Sequence, residues 1–86
     1  MKNFNLEIAT PEKQVFSGSV QSVLVPGTMG SFQVLFNHAP IISTLGHGKV
    51  KVVKEDGEEL VYYAQDGVIE VLNNEAIILL EKMLDK

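Results

Sequence analysis

At 86 residues, 45% hydrophobic and 21% charged, the chain makes one compact domain and leaves no room for a second. A chain this short buries only ~60–65% of its unfolded surface, so it needs an efficient core or a partner. Having no cysteine excludes disulfides, iron–sulfur clusters, thiolate zinc sites and cysteine nucleophiles, and a net charge of -4 without arginine argues against a nucleic-acid partner.

Strand patterns follow one another along the chain. Phe4, Leu6 and Ile8 alternate with Asn5, Glu7 and Ala9, which predicts a half-buried strand ending at Thr10-Pro11. Val15-Phe16 reads as a short strand closed by a turn at Ser17-Gly18-Ser19, and Val20 to Val25 as the next, closed by Pro26-Gly27. Phe32, Val34 and Phe36 alternate with Gln33 and Leu35; Ile41 to Leu45 follows Pro40 and stops at Gly46-His47-Gly48. Val50 and Val52 alternate with Lys49 and Lys51, the segment 55–58 is a turn, and Glu59 to Ala64 returns with Leu60 and Tyr62 on one face. Asp66-Gly67 predicts another turn, Val68 to Leu72 another strand, and Asn73-Asn74 a tight hairpin into Ala76–Leu80, a strand running into a frayed end. The pattern predicts an all-β fold over residues 1–86: a two-sheet sandwich or flattened barrel of about eight to ten short, mostly antiparallel strands.

Charge is unevenly placed. From Gln14 to Gly48, 35 consecutive residues carry no Asp, Glu, Lys or Arg, and the other 51 hold all eighteen charges. The stretch is not especially apolar: Ser17, Gln21, Thr28, Ser31, Gln33, Asn37 and His47 all lie in it. Neutral polar surface of this length resembles an interface more than free surface, because charge is depleted at interface cores. The start, Met1 to Asn5, shows no apolar core region or cleavage site, and no apolar run approaches the ~20 residues of a membrane span, so a cytoplasmic chain without direct lipid insertion is expected.

Chemistry-bearing motifs are sparse. His38 and His47 are the only histidines, and no acidic residue lies between Glu12 and Glu55 to complete a metal site. His38, within Asn37-His38-Ala39-Pro40, reads as a structural imidazole bonding a neighbouring carbonyl, and His47 as an exposed loop residue. The acidic cluster 55–59 lacks the alternating ligand spacing of a calcium loop and reads as a solvated hairpin tip. The segment 26–30 lacks both phosphate-loop spacings. A biotinyl or lipoyl carrier would need a lysine at a hairpin tip, where this chain has Asp56-Gly57 and Asn73-Asn74. No catalytic residue, metal or cofactor is implied.

In this order, several segments together are specific: Leu6 to Glu12, Val15-Phe16-Ser17-Gly18, the Val20 to Val25 strand, Gly27 to Gly30, Phe32 to Phe36, the block Asn37-His38-Ala39-Pro40-Ile41-Ile42-Ser43-Thr44-Leu45, and Gly67-Val68-Ile69-Glu70-Val71. On these the chain resembles, essentially end to end, the N-terminal β-sandwich domain of the epsilon subunit of F-type ATP synthases. The resemblance implies a noncatalytic subunit of the rotor's central stalk. Such a subunit binds gamma along one sheet, rests on the polar loops of the c-ring, meets the alpha and beta subunits indirectly, and couples proton-driven ring rotation to ATP synthesis. It implies a peripheral position at the cytoplasmic face of the bacterial plasma membrane. Carried over by position, the ring contacts are Thr28, Met29, Gly30, Ser31 and Phe32, with Asn37, His38, Ala39 and Pro40; the gamma contacts stay unassigned.

Two departures from the family stand out. Ser31 occupies a position that is acidic in many members, and Phe32 to Asn37 lacks the family's Gly and Pro before His-Ala-Pro. The chain stops at Leu84-Asp85-Lys86, where members commonly continue into a helical pair, so no ATP binding and no hydrolysis control by such helices is expected. Aspartate at Val34 or Phe36 is expected to misfold the domain, and a charge at Ser31 or Asn37 to weaken ring docking while sparing the fold. The alternative is a free-standing β-sandwich module that binds a small ligand or peptide.

Overall fold

The computed structural model describes residues 2–84 and forms them into seven strands: β1 (Phe4–Ala9), β2 (Gln14–Val25), β3 (Phe32–Val34), β4 (Ile41–Leu45), β5 (Gly48–Lys54), β6 (Glu59–Leu72) and β7 (Glu75–Leu84). β1, β7, β6, β5 and β2 are hydrogen-bonded in that order, and β2 pairs back onto β1, so the sheet closes on itself. Closure removes most of the free edges that a small β domain must otherwise protect. β4 lies along β6 in continuation of β5: Leu45 pairs with Gly67, and Gly48 with Ala64. The β1–β7 pair is parallel and the other ladders are antiparallel.

The flattened-barrel expectation holds, but the strands are fewer and longer than the turn signals predicted. Ser17-Gly18-Ser19 is not a turn; it continues β2, with Gly18 opposite Leu6 and Ser19 opposite Asn5. Asp66-Gly67 is not a turn either. β6 runs through it while Asp66 takes φ 59 and donates its N–H to the Gly46 carbonyl at 3.3 Å. This local left-handed residue changes which positions face inward, from Ala64 before it to Ile69 and Val71 after it. The strand therefore bends from one layer of the sandwich into the other. β2 does the same at its register shift between Val20 and Ser22, after which Val23 and Val25 point inward. A bulged corner and a turn share the same small polar residues, which is why the two look alike in sequence.

One core fills the space between the layers. Phe4, Leu6, Ile8, Val20, Val23, Val25, Val34, Val50, Val52, Ile69, Ile78 and Leu80 are buried in it. Phe36, expected to share the core with Val34, does not: β3 ends at Val34, Phe36 opens the following turn half-buried, and the Lys2 ammonium sits 5.3 Å from its ring centroid. The Asn73-Asn74 hairpin forms as expected, with both residues at positive φ (51 and 62). β7 extends to Leu84, which pairs with Tyr63, so the strand outlasts the frayed end expected after Leu80; Asp85 and Lys86 lie outside the described residues.

Gly67 is held by close packing. A Cβ there would lie 2.4 Å from the Leu79 carbonyl oxygen and 3.1 Å from the Leu80 Cα, both backbone atoms that cannot yield cheaply. Gly67→Ala is expected to cost about 1–3 kcal/mol, as overpacking does. Urea unfolding checks this: an unchanged midpoint would contradict the close approach of β6 and β7.

Candidate functional site

Two uncharged loops and one apolar sheet face are the features of this surface that the fold itself does not require. The first loop leaves β2 through buried Pro26. The Gly46 N–H donates to the Pro26 carbonyl at 2.8 Å, Gly27 bridges to Leu45, and the Thr28 N–H donates to the Thr44 carbonyl at 3.0 Å. The Thr28 and Thr44 hydroxyls also meet at 2.7 Å. The Gly30 N–H closes the turn on the Gly27 carbonyl at 3.0 Å, and a Cβ at Gly27 would lie 2.7 Å from the Gly30 oxygen and 2.9 Å from the Phe32 ring. The loop is thus tightly built, yet its tip residue Met29 is 98% exposed. Ser31 is exposed beside it, and Phe32 packs partly into the core as an anchor.

The second loop is also ordered by its own bonds. The His38 N–H donates to the Leu35 carbonyl at 3.1 Å, and the His38 Nδ1 donates to the Ala39 carbonyl at 2.7 Å. The latter bond is the structural imidazole expected from sequence. Asn37 takes φ 66, and its side chain, expected at the ring contact, is engaged with Asn74 across the β6–β7 turn. Ala39 and Pro40 are exposed. The nine residues singled out by sequence thus fall in two segments with different anchors, the first on β4 and the second on the β6–β7 turn.

The apolar face was not identified from sequence. Pairing sets Ile42 beside Glu70 and Glu70 beside Ile77, while Val68 lies between Thr44 and Leu79. Partners in a ladder point to the same side, so these rows form one outer face across β4, β6 and β7. On it Ile42 is 72% exposed and Leu72 and Leu79 51% each. The face runs into an open groove of about 670 Å³ lined by Ala9, Thr44, Val68, Leu79 and the acidic Asp66 and Glu81. The signal was present in the unbroken apolar run 76–80. In a strand, such a run makes both faces apolar, and only one of them can be core.

The ion pairs lie elsewhere. Lys51 pairs with Glu59 at 3.4 Å and Lys54 with Glu58 at 3.1 Å, both on the β5–β6 hairpin. The hydrogen bond and the charge of Glu58 raise the Lys54 ammonium above its ordinary value. The acidic tip 55–58 is exposed, as a solvated hairpin tip should be, and so is His47. Among the described residues, no three of His, Asp and Glu come together as a metal site.

Comparison with known proteins gives a consistent outcome. The family model for the ATP synthase delta/epsilon chain beta-sandwich domain matches residues 3–86. The ATP synthase epsilon chain of Chlorobaculum tepidum is 44% identical over 82 residues, covering 95% of this chain and 93% of that one. Among solved structures, a chain of the Euglena gracilis mitochondrial ATP synthase superposes with a TM-score of 0.90 at 17% identity, over 98% of this chain and 54% of its own length. A chain in the central stalk/c-ring structure of the Tetrahymena thermophila mitochondrial ATP synthase gives 0.77 at 16% identity, over 94% and 65%. This chain thus spans about half to two thirds of those two structural neighbours, and at such identities the likeness is one of fold.

Proposed function

Because the chain belongs to the ATP synthase delta/epsilon family, as an epsilon-type beta-sandwich domain, we propose that it is a noncatalytic central-stalk subunit joining the gamma subunit to the c-ring. In this reading the β4–β6–β7 face seats gamma, and the loops at 28–32 and 37–40 rest on the polar loops of the ring. The alpha and beta subunits are reached only through gamma. The protein works as a peripheral part of the membrane complex, at the cytoplasmic face of the bacterial plasma membrane, and couples ring rotation to ATP synthesis.

The observation that carries the reading is the exposure of large apolar side chains on an 86-residue domain: Met29 on one loop, and Ile42, Leu72 and Leu79 on one sheet face. Large apolar side chains exposed together on one sheet face mark a protein interface. The charges among its rows, Glu70 and Glu75, are carboxylates, which suit a partner element with an apolar stripe flanked by lysine or arginine. The loops carry no charge at all, and a contact that bears load at all times is better served by neutral packing than by screened ion pairs of about 0–1 kcal/mol.

Met29→Lys tests the ring assignment. Met29 is nearly fully exposed, so the stability should move by no more than about 0.5 kcal/mol. Loss of its packing and introduction of a charge should weaken ring docking about tenfold or more. In membrane vesicles bearing the assembled synthase, ATP-driven ion pumping should fall while the isolated domain melts as before. Full pumping by the variant would count against this loop as a ring contact. Purification from native membranes tests the wider reading: co-elution with alpha, beta and gamma supports it, whereas elution alone favours a free-standing binding module.

A further inference from the structure

We propose that Asn74, in the β6–β7 turn, is a positioning residue whose carboxamide holds the 37–40 loop in one conformation and fastens it to the apolar sheet face. The Asn37 N–H donates to Asn74 Oδ1 at 2.6 Å, and Asn74 Nδ2 donates to Asn37 Oδ1 at 3.0 Å. The two bonds form a reciprocal clamp between residues 37 apart in sequence. Asn74 is itself fixed, since its carbonyl accepts the Asn5 N–H at 3.0 Å and so ties the turn to the start of β1.

The residue type at this position supports the assignment. Asn74 has φ 62 at the second place of a two-residue hairpin loop, where glycine is the default because it adopts that conformation without strain. Keeping a side chain there gives up that ease, and the side chain makes both of its bonds to Asn37. Asn37 in turn has φ 66, a left-handed conformation that asparagine tolerates better than most residues and that the clamp fixes. The turn is flanked by Leu72 and Glu75, which pair with each other at the end of the apolar face. The clamp therefore joins that face to the loop by a short path of backbone and two amide groups.

Asn74→Gly removes the clamp alone, because glycine fits φ 62 and leaves the carbonyl bonded to Asn5. In the isolated domain, hydrogen exchange of the Asn37 and His38 amides should speed up about tenfold, while the core amides of Ile69 and Ile78 keep their protection. Asn74→Asp, which keeps the acceptor for the Asn37 N–H but loses the donor, should retain part of the protection. Unchanged exchange at Asn37 in Asn74→Gly would overturn the proposal. So would an equal rise at Ile69 and Ile78, which would make Asn74 a general stability residue. The role of the clamp in docking rests on the reading above and has its own readout, cross-linking from Ala39 to the ring in assembled synthase. A loosened loop with reduced cross-linking supports both. A loosened loop with undiminished cross-linking leaves Asn74 as the loop's positioning residue and shows that docking does not depend on the clamp, whereas no cross-link from the wild type would remove the loop from the ring contact.

Discussion

Val34→Asp should not fold at ordinary temperature, whereas Phe36→Asp should fold with a modest loss of stability. Val34 is fully buried and pairs with Val23 on β2, deep between the layers, and among the described residues no basic side chain is buried in that core. An unpaired carboxylate there loses its hydration without compensation, or must stay protonated far above its ordinary range, a cost of several kcal/mol on top of the lost packing. A domain of this size has only about 5–10 kcal/mol of stability in all. Phe36 is half-buried in a turn beyond the end of β3, where aspartate can reach water and lie near the Lys2 ammonium. Its replacement should cost about 1–2 kcal/mol, mostly from lost apolar burial. Circular dichroism melts check the contrast. A cooperative Val34→Asp transition at the wild-type temperature, or a Phe36→Asp domain equally unfolded, would contradict the described end of β3.

Ile42→Glu combined with Leu79→Glu should abolish measurable binding to gamma and cost the isolated domain no more than about 1 kcal/mol. Both side chains are more than half exposed, so their removal opens no cavity. At a docked interface each apolar anchor contributes about 1.5–3 kcal/mol, so losing two lowers affinity by a factor on the order of a hundred or more. The new carboxylates would also have to lose hydration on docking, while in the free domain the one at position 42 stands opposite Glu70, a like-charge pair that costs about 0.5 kcal/mol. Val61→Glu is the control. Val61 is 46% exposed but pairs with Lys51 on the β5 side of the barrel, outside the proposed face. It should bind gamma as the wild type does. Calorimetry with purified gamma makes the comparison, and equal weakening by all three substitutions would point to a nonspecific effect of charge.

Much of the fold could be read from alternation. Phe4, Leu6 and Ile8 in β1, Val50 and Val52 in β5, and the Asn73-Asn74 hairpin all appear where a period of two and a tight turn place them. The bends at Val20–Ser22 and Asp66 could not be read, because a strand that changes its inward parity has the same local composition as two strands joined by a turn. The two loops could be delimited by their lack of charge and by the block 37–40. That block's attachment to Asn74 depends on a pairing across 37 residues, which no local pattern encodes. The apolar face was written in the sequence as the run 76–80, but a single strand does not say which side faces out. The neighbouring rows from β4 and β6 decide it.

Both surfaces can be tested in one experiment that leaves the chain otherwise unaltered. A photo-cross-linking amino acid is placed at Met29 in one preparation of the assembled synthase and at Leu79 in another, and the joined subunits are identified by mass spectrometry. The expected products are c-subunit adducts from Met29 and gamma adducts from Leu79, each from a complex that still pumps. Adducts to the same subunit from both positions, or to neither gamma nor c, would contradict the proposal that this domain joins gamma to the ring through two separate surfaces.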